Sequence, residues 1–164
     1  MPALPAEKCY PVLRKLEHVL IRVAGRHFGV SLTAQQLSLD GVVVEVDGLA
    51  IDAAAQQVIV AEAYVSSRYP RAASRRKVQS DLLKLLFIRE YLREQHSGYR
   101  IRPVLVFSSV RVAQAFESQT WASAAIRRLD VELLTYAITP ADITLARIAA
   151  ARGGHVRKRP RRAK

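Results

Sequence analysis

The residues of this 164-residue chain predict an α/β fold, a central mixed sheet with helices on both faces. Three observations predict it. Apolar residues recur at helical spacing near the start and again at mid-chain, a β-branched block separates those two stretches, and the second half alternates short apolar runs with helical ones. The predicted order is α-β-β-β-α-β-α-β-α.

Pro11 begins a run with apolar residues at Val12, Leu16, Val19, Leu20, Val23 and Ala24. That spacing predicts a helix to about His27, ended by Gly29, and proline suits a first helical turn. Leu37 to Val65 reads as a three-strand antiparallel meander. In it Val42–Val46 is extended, Asp47-Gly48 marks a bend, Leu49–Ile51 continues, and Gln57–Val65 forms a buried strand after a loop at 52–56. Ala72 to about Gln95 returns to helical period, with Val78, Leu82, Leu85 and Leu86 on one side, and Gly98 closes it. Ile101–Phe107 reads as a central strand in spite of Pro103. Val110 to about Leu129 reads as helix with a break near Gln119-Thr120, and Val131–Ile138 as a strand. Thr139-Pro140-Ala141-Asp142 starts a last helix over Ile143–Ala151. Residues 1–151 form the expected domain, and 152–164 a basic tail with no apolar face, expected to be disordered.

Composition narrows the partners. Lys and Arg total 26 against 14 acids, a net charge of +12. Seven of the cations lie in the last thirteen residues, which contain no acid, so a net +5 stays on the rest of the chain. A basic body points to a polyanion, because each neutralised phosphate releases condensed counterions. Nucleic acid, DNA first, is the expected partner; plain solubility through excess charge is the alternative. No uninterrupted apolar stretch reaches the length of a membrane span, and the opening residues lack the basic start and apolar run of a signal peptide. Cytoplasmic residence, without membrane association, is the default expectation. The single cysteine, Cys9, has no partner for an internal disulfide.

The acids of the meander carry the chemistry. Glu62 stands in a strand otherwise made of Val, Ile and Ala, where a carboxylate is costly unless something pairs with it. Asp47 lies at the bend before it. Two carboxylates converging from neighbouring strands form an oxygen-rich site suited to Mg²⁺ or Mn²⁺. The competing reading pairs each acid with one of the many cations.

A helix bearing Glu17, then Asp47 in Val-Asp-Gly, then Glu62-Ala63-Tyr64 and a long helix, resembles the PD-(D/E)XK nuclease superfamily over roughly Pro11 to Phe107. The resemblance implies a restriction-endonuclease-like αβββαβ core. It also implies that Asp47, Glu62 and the main-chain carbonyl of Ala63 hold a divalent metal, with Glu17 bonding a metal water or completing the acidic cluster. One position departs from the pattern: Tyr64 stands where the superfamily has lysine. Tyrosine, with a reference pKa of about 10, supplies no positive charge at neutral pH. Either the site is inactive or another cation has moved in. Lys77, Asp81 and Lys84 form one stripe of the long helix, at the margin of its apolar side, and a lysine there can reach over the sheet toward Glu62. Migration of the lysine onto this helix is known in the superfamily. Between Lys77 and Lys84 the sequence does not choose, and a solvated Lys77–Asp81–Lys84 ladder is the plain alternative. Tyr64 can instead bond Asp81 or a metal water, or fill space.

Ahead of that helix, Ser66 to Lys77 holds five cations and no acid, with Arg68, Arg71, Arg75 and Arg76 placed to contact phosphates. The predicted function is divalent-metal-dependent phosphodiester hydrolysis on DNA, RNA being the other candidate substrate. A catalytically inactive nucleic-acid-binding module on the same scaffold is the alternative, and a small subunit docking by an apolar surface is a third. Oligomeric state is open, a homodimer being common among proteins that cut both strands of a duplex. Phosphate-loop and nucleophile-elbow motifs are absent, and the four histidines lack metal-ligand spacing.

Overall fold

The computed structural model describes residues 6–66, 72–117 and 120–153. Its elements are α1 (Ala6–Phe28), β1 (Thr33–Leu39), β2 (Val42–Asp52), β3 (Gln57–Tyr64), α2 (Ala72–Gln95), β4 (Arg100–Phe107), α3 (Val110–Glu117), α4 (Trp121–Arg128), β5 (Glu132–Thr135) and α5 (Pro140–Gly153). The strands form one sheet in chain order, antiparallel from β1 to β3 and parallel from β3 to β5. The expected α/β fold, an αβββαβ core with a mixed sheet flanked by helices, is the one observed.

Side chains alternate across β3, and this divides the core in two. Ile59, Ala61 and Ala63 meet Leu20, Ile21 and Ala24 of α1 on one face. Val58, Val60 and Tyr64 meet Val78, Leu82 and Leu85 of α2 on the other, together with Phe116 of α3 and Ile126 of α4. Because β3 is covered on both sides, it reads as a nearly continuous apolar run, and Glu62 interrupts it.

Several boundaries differ from the sequence expectation. Helix α1 starts at Ala6 and takes Pro11 inside it. The chain holds two Asp-Gly pairs, and the hairpin turn uses the first. Asp40 and Gly41 both have positive φ (48° and 79°) between paired Leu39 and Val42, the two-residue turn that matches strand twist. The strand ahead of that turn begins at Thr33 and alternates poorly, since most of its residues are exposed. The helix expected over 110–129 is two helices. Thr120 caps α4, its hydroxyl accepting the Ser123 N–H while the Ser123 hydroxyl accepts the Thr120 N–H. Pro103 sits in a central strand without loss. Arg100 and Ser108, an odd number of residues away on either side, donate toward the β3 side, so the missing donor of Pro103 faces β5, where pairing begins only at Val104. Arg152 and Gly153 continue α5, and the rest of the expected basic tail lies outside the described residues.

The second Asp-Gly pair, expected to bend the chain, lies inside β2 as a bulge. Gln35 pairs with Val46 and Thr33 with Leu49, so two steps along β1 span three along β2. The extra residue puts Val46 and Leu49 in the same core cluster and re-aims Asp47 between them. Gly48 then lies against α1, where an added Cβ would stand 2.9 Å from Ile21 Cγ2. Gly48→Ala is expected to cost about 1–3 kcal/mol of stability by overpacking. Urea denaturation checks this, with Ile21→Ala, which removes Cγ2, costing less in the Gly48→Ala background than in the wild-type chain.

Candidate active site

The ladder between β2 and β3 ends at Gly48 opposite Ala61. Beyond it the side chain of Asp47 replaces the strand: its Oδ2 accepts the Ala63 N–H at 2.9 Å. The sheet forks here, β2 following β1 while β3 stays with β4. In a strand the N–H and C=O of one residue point to the same edge, so the Ala63 carbonyl also faces the fork.

Glu62 lies beside this fork on the α2 face and is 3% exposed. Burial, then the nearby Asp47 carboxylate, push its pKa up to about 7, and Lys84 opposes both. Lys84 reaches over from α2. Its ammonium lies 2.7 Å from Glu62 Oε1 and donates to the Glu45 carbonyl at 3.0 Å. The Glu62 contact is an ion pair rather than a well-aligned hydrogen bond, and among the described residues Oε1 has no other polar partner. Lys77, two stripe positions earlier, donates instead to Asp81 at 2.8 Å and lies 5.7 Å from the centre of the Tyr64 ring. Burial works against the Lys77 charge, but Asp81 and the other carboxylates raise its pKa. Tyr64 is buried and meets Phe107 edge-on at 6.2 Å, so its ring belongs to the core.

Glu17 enters from α1. It is half-buried, and burial followed by the Asp47 charge raises its pKa to about 6. Glu17, Asp47, Glu62, Tyr64, Lys77 and Lys84 all line one cleft of about 420 Å³. Arg75 and Arg76 fall in the first turns of α2, half-buried and exposed respectively, while Arg68 and Arg71 lie outside the described residues. The sequence reading missed Arg14, which lines the cleft one helical turn before Glu17, and the Glu45 carbonyl. The spacing of Arg14 and Glu17 carried the first signal; no residue-type pattern announces a main-chain acceptor.

The donor set suits a hard divalent cation. Asp47, Glu62 and the Ala63 carbonyl offer only oxygen, and among the described residues the buried Glu62 Oε1 is met by the Lys84 ammonium alone. The spot already attracts a cation, since Lys84 is held there between two oxygens. Among the described residues no three His, Cys, Asp or Glu groups form a ready cage. Water and phosphate would have to complete the shell, as is usual for Mg²⁺.

No protein-family model matches the chain, and no curated protein matches it in sequence. Two solved structures share its fold. One is an XisH family protein from Nostoc punctiforme, 15% identical, with a TM-score of 0.51 over 74% of this chain and 90% of that one. The other is an fdxN element excision controlling factor protein from Anabaena variabilis, 15% identical, with a TM-score of 0.52 over 74% and 89%. At this identity the likeness is one of fold.

The raised Glu62 pKa sets a pH dependence. The folded protein holds the proton up to about pH 7, whereas the unfolded chain releases it near 4.5. Between those values the folded state binds more protons, so stability falls as pH rises through the window. Glu17 acts in the same direction up to about 6. Without metal, the wild-type chain is expected to lose stability from pH 5 to pH 8 relative to Glu62→Gln, measured by urea denaturation at both values.

Proposed function

We propose that this protein is a divalent-metal-dependent nuclease of the PD-(D/E)XK type, acting on DNA, with its lysine supplied by α2. The observation that carries the proposal is the Glu62 carboxylate, buried at the fork beside Asp47 and met by Lys84 at 2.7 Å. The basic body of the chain and the fold shared with an element excision controlling factor agree with work on nucleic acid.

In this reading Asp47, Glu62 and the Ala63 carbonyl hold Mg²⁺ or Mn²⁺. When bound, such a cation supplies Lewis acidity toward water and phosphate oxygens. The contribution of Asp47 is twofold: one carboxylate oxygen stays tied to the Ala63 N–H, which fixes the other. Glu17 stands close enough to feel the Asp47 charge, and holds or releases a proton near neutral pH. Lys84 is the better candidate for the charge that stabilises the pentavalent phosphate. Its ammonium already touches Glu62, whereas Lys77 is engaged with Asp81. Arg75 and Arg76, with Arg68 and Arg71 of the preceding segment, supply the phosphate contacts. The inactive-module reading rests on Tyr64, which fills core space where the superfamily has its lysine.

Supercoiled and single-stranded DNA with Mg²⁺ or Mn²⁺ provide the test. Asp47→Ala and Glu62→Ala are expected to abolish cleavage. Lys84→Ala should lower the rate by about 10²-fold, the scale of a lost charge-stabilising group, and Lys77→Ala by less than about 10-fold. Equal activity in the Asp47 and Glu62 variants would falsify the assignment. Salt-dependent DNA binding with no cleavage under either metal selects the inactive module.

A further inference from the structure

Next to the cleft lies a second hollow, of about 210 Å³, between α1 and the β1–β2 hairpin. The two share Arg14, Glu17, Glu45 and Asp47, so they form one groove that crosses the carboxylates. Its far end is lined by His18, Gln35 and Gln36, polar groups with no place in the chemistry above.

On α1 this groove is lined by Arg14, Glu17, His18 and Ile21, and the next turn beyond His18 brings Arg22. Arg14, His18 and Arg22 follow at four-residue spacing, each turned about 40° from the one before, so they form a ridge. All three are exposed. Arg14 borders both hollows, and Arg22 feels the charge of Asp142 on α5. Partial burial, then Lys15, Arg14 and Arg22, keep the His18 pKa below its ordinary value. His18 thus leans to its neutral form, and an incoming polyanion relieves the repulsion among Arg14, Lys15 and Arg22 around it.

We infer that a nucleic acid strand crosses the carboxylates and leaves along this second hollow, with Arg14, His18 and Arg22 of α1 holding its phosphates. The inference rests on the nucleic-acid reading above and adds a path to it. On this path α1 guides the strand on one side of the scissile phosphate. Contacts of this kind set register and affinity and are blind to base sequence. Gln35 and Gln36 stand where a base edge would pass; Gln36 is tied to Glu45 through its amide nitrogen at 2.7 Å.

The test is binding of the full chain in EDTA, so that cleavage plays no part. Fluorescence anisotropy of labelled duplex and single-stranded DNA would be followed from about 50 to about 300 mM salt. Arg14→Ala and Arg22→Ala are each expected to weaken binding roughly 3- to 10-fold and to reduce the slope of log K against log salt by about 1. Arg14→Lys should keep the slope. Arg111→Ala, an exposed arginine on α3 beside the opposite part of the sheet, is the control, and circular dichroism verifies folding of each variant. Arg14→Ala and Arg22→Ala binding no differently from Arg111→Ala overturns the path, as does equal competition by polyglutamate. Binding that follows the expected slopes in a protein that never cleaves leaves the path standing and removes the hydrolytic reading.

Discussion

A carboxylate buried in an apolar strand is the constraint around which this molecule is arranged. Taking Glu62 out of water costs several kcal/mol unless a partner compensates, and Asp47, the sheet residue whose charge acts on it most, bears the same sign. Hydrophobic residues fill every neighbouring position of β3 at no such cost. Stability alone gives no reason for an acid there, since a buried ion pair adds little over an apolar pair of similar volume. The second layer answers the charge: α2 lays Lys84 across the sheet and closes the ion pair.

The fork follows from the same place. A regular ladder would bring the β2 backbone against Ala63 and leave no room for side-chain chemistry. The bulge at Asp47 and Gly48 withdraws β2, and the Asp47 side chain takes over the hydrogen bond its backbone would have made. The backbone stays satisfied while an oxygen-lined gap opens in the middle of a sheet. Gly48 is what lets α1 lie close enough to bring Glu17 and Arg14 to that gap.

Much of this was legible in the residues. The alternation of strands and helices, the isolation of Glu62 among Val, Ile and Ala, and the four- and three-residue steps from Lys77 to Asp81 to Lys84 all read directly from side-chain type and period. Two things did not. The second Asp-Gly pair looked like a turn, because a bulge and a turn use the same residues and differ only in what lies opposite. The choice between Lys77 and Lys84 depends on where α2 crosses β3, which periodicity leaves free. Asp81 engages the first lysine, and Glu62 meets the second. Arg14 stands one turn before Glu17, but a basic residue on a basic helix gains meaning from that spacing only once the groove beside it is seen.

With Lys84 on a helix, the parts of the cleft come from separate layers of the molecule. A strand lysine would be in place as soon as its own hairpin formed, next to the acids it serves. Lys84 arrives only when Val78, Leu82 and Leu85 have settled onto the sheet. Assembly of the charged cluster is thereby made conditional on completion of the interior, and a half-formed chain carries the acids without the cation. The spacing between layers also becomes an adjustable dimension: one methylene added or removed beneath α2 shifts an ammonium group relative to a carboxylate while leaving both residues unchanged.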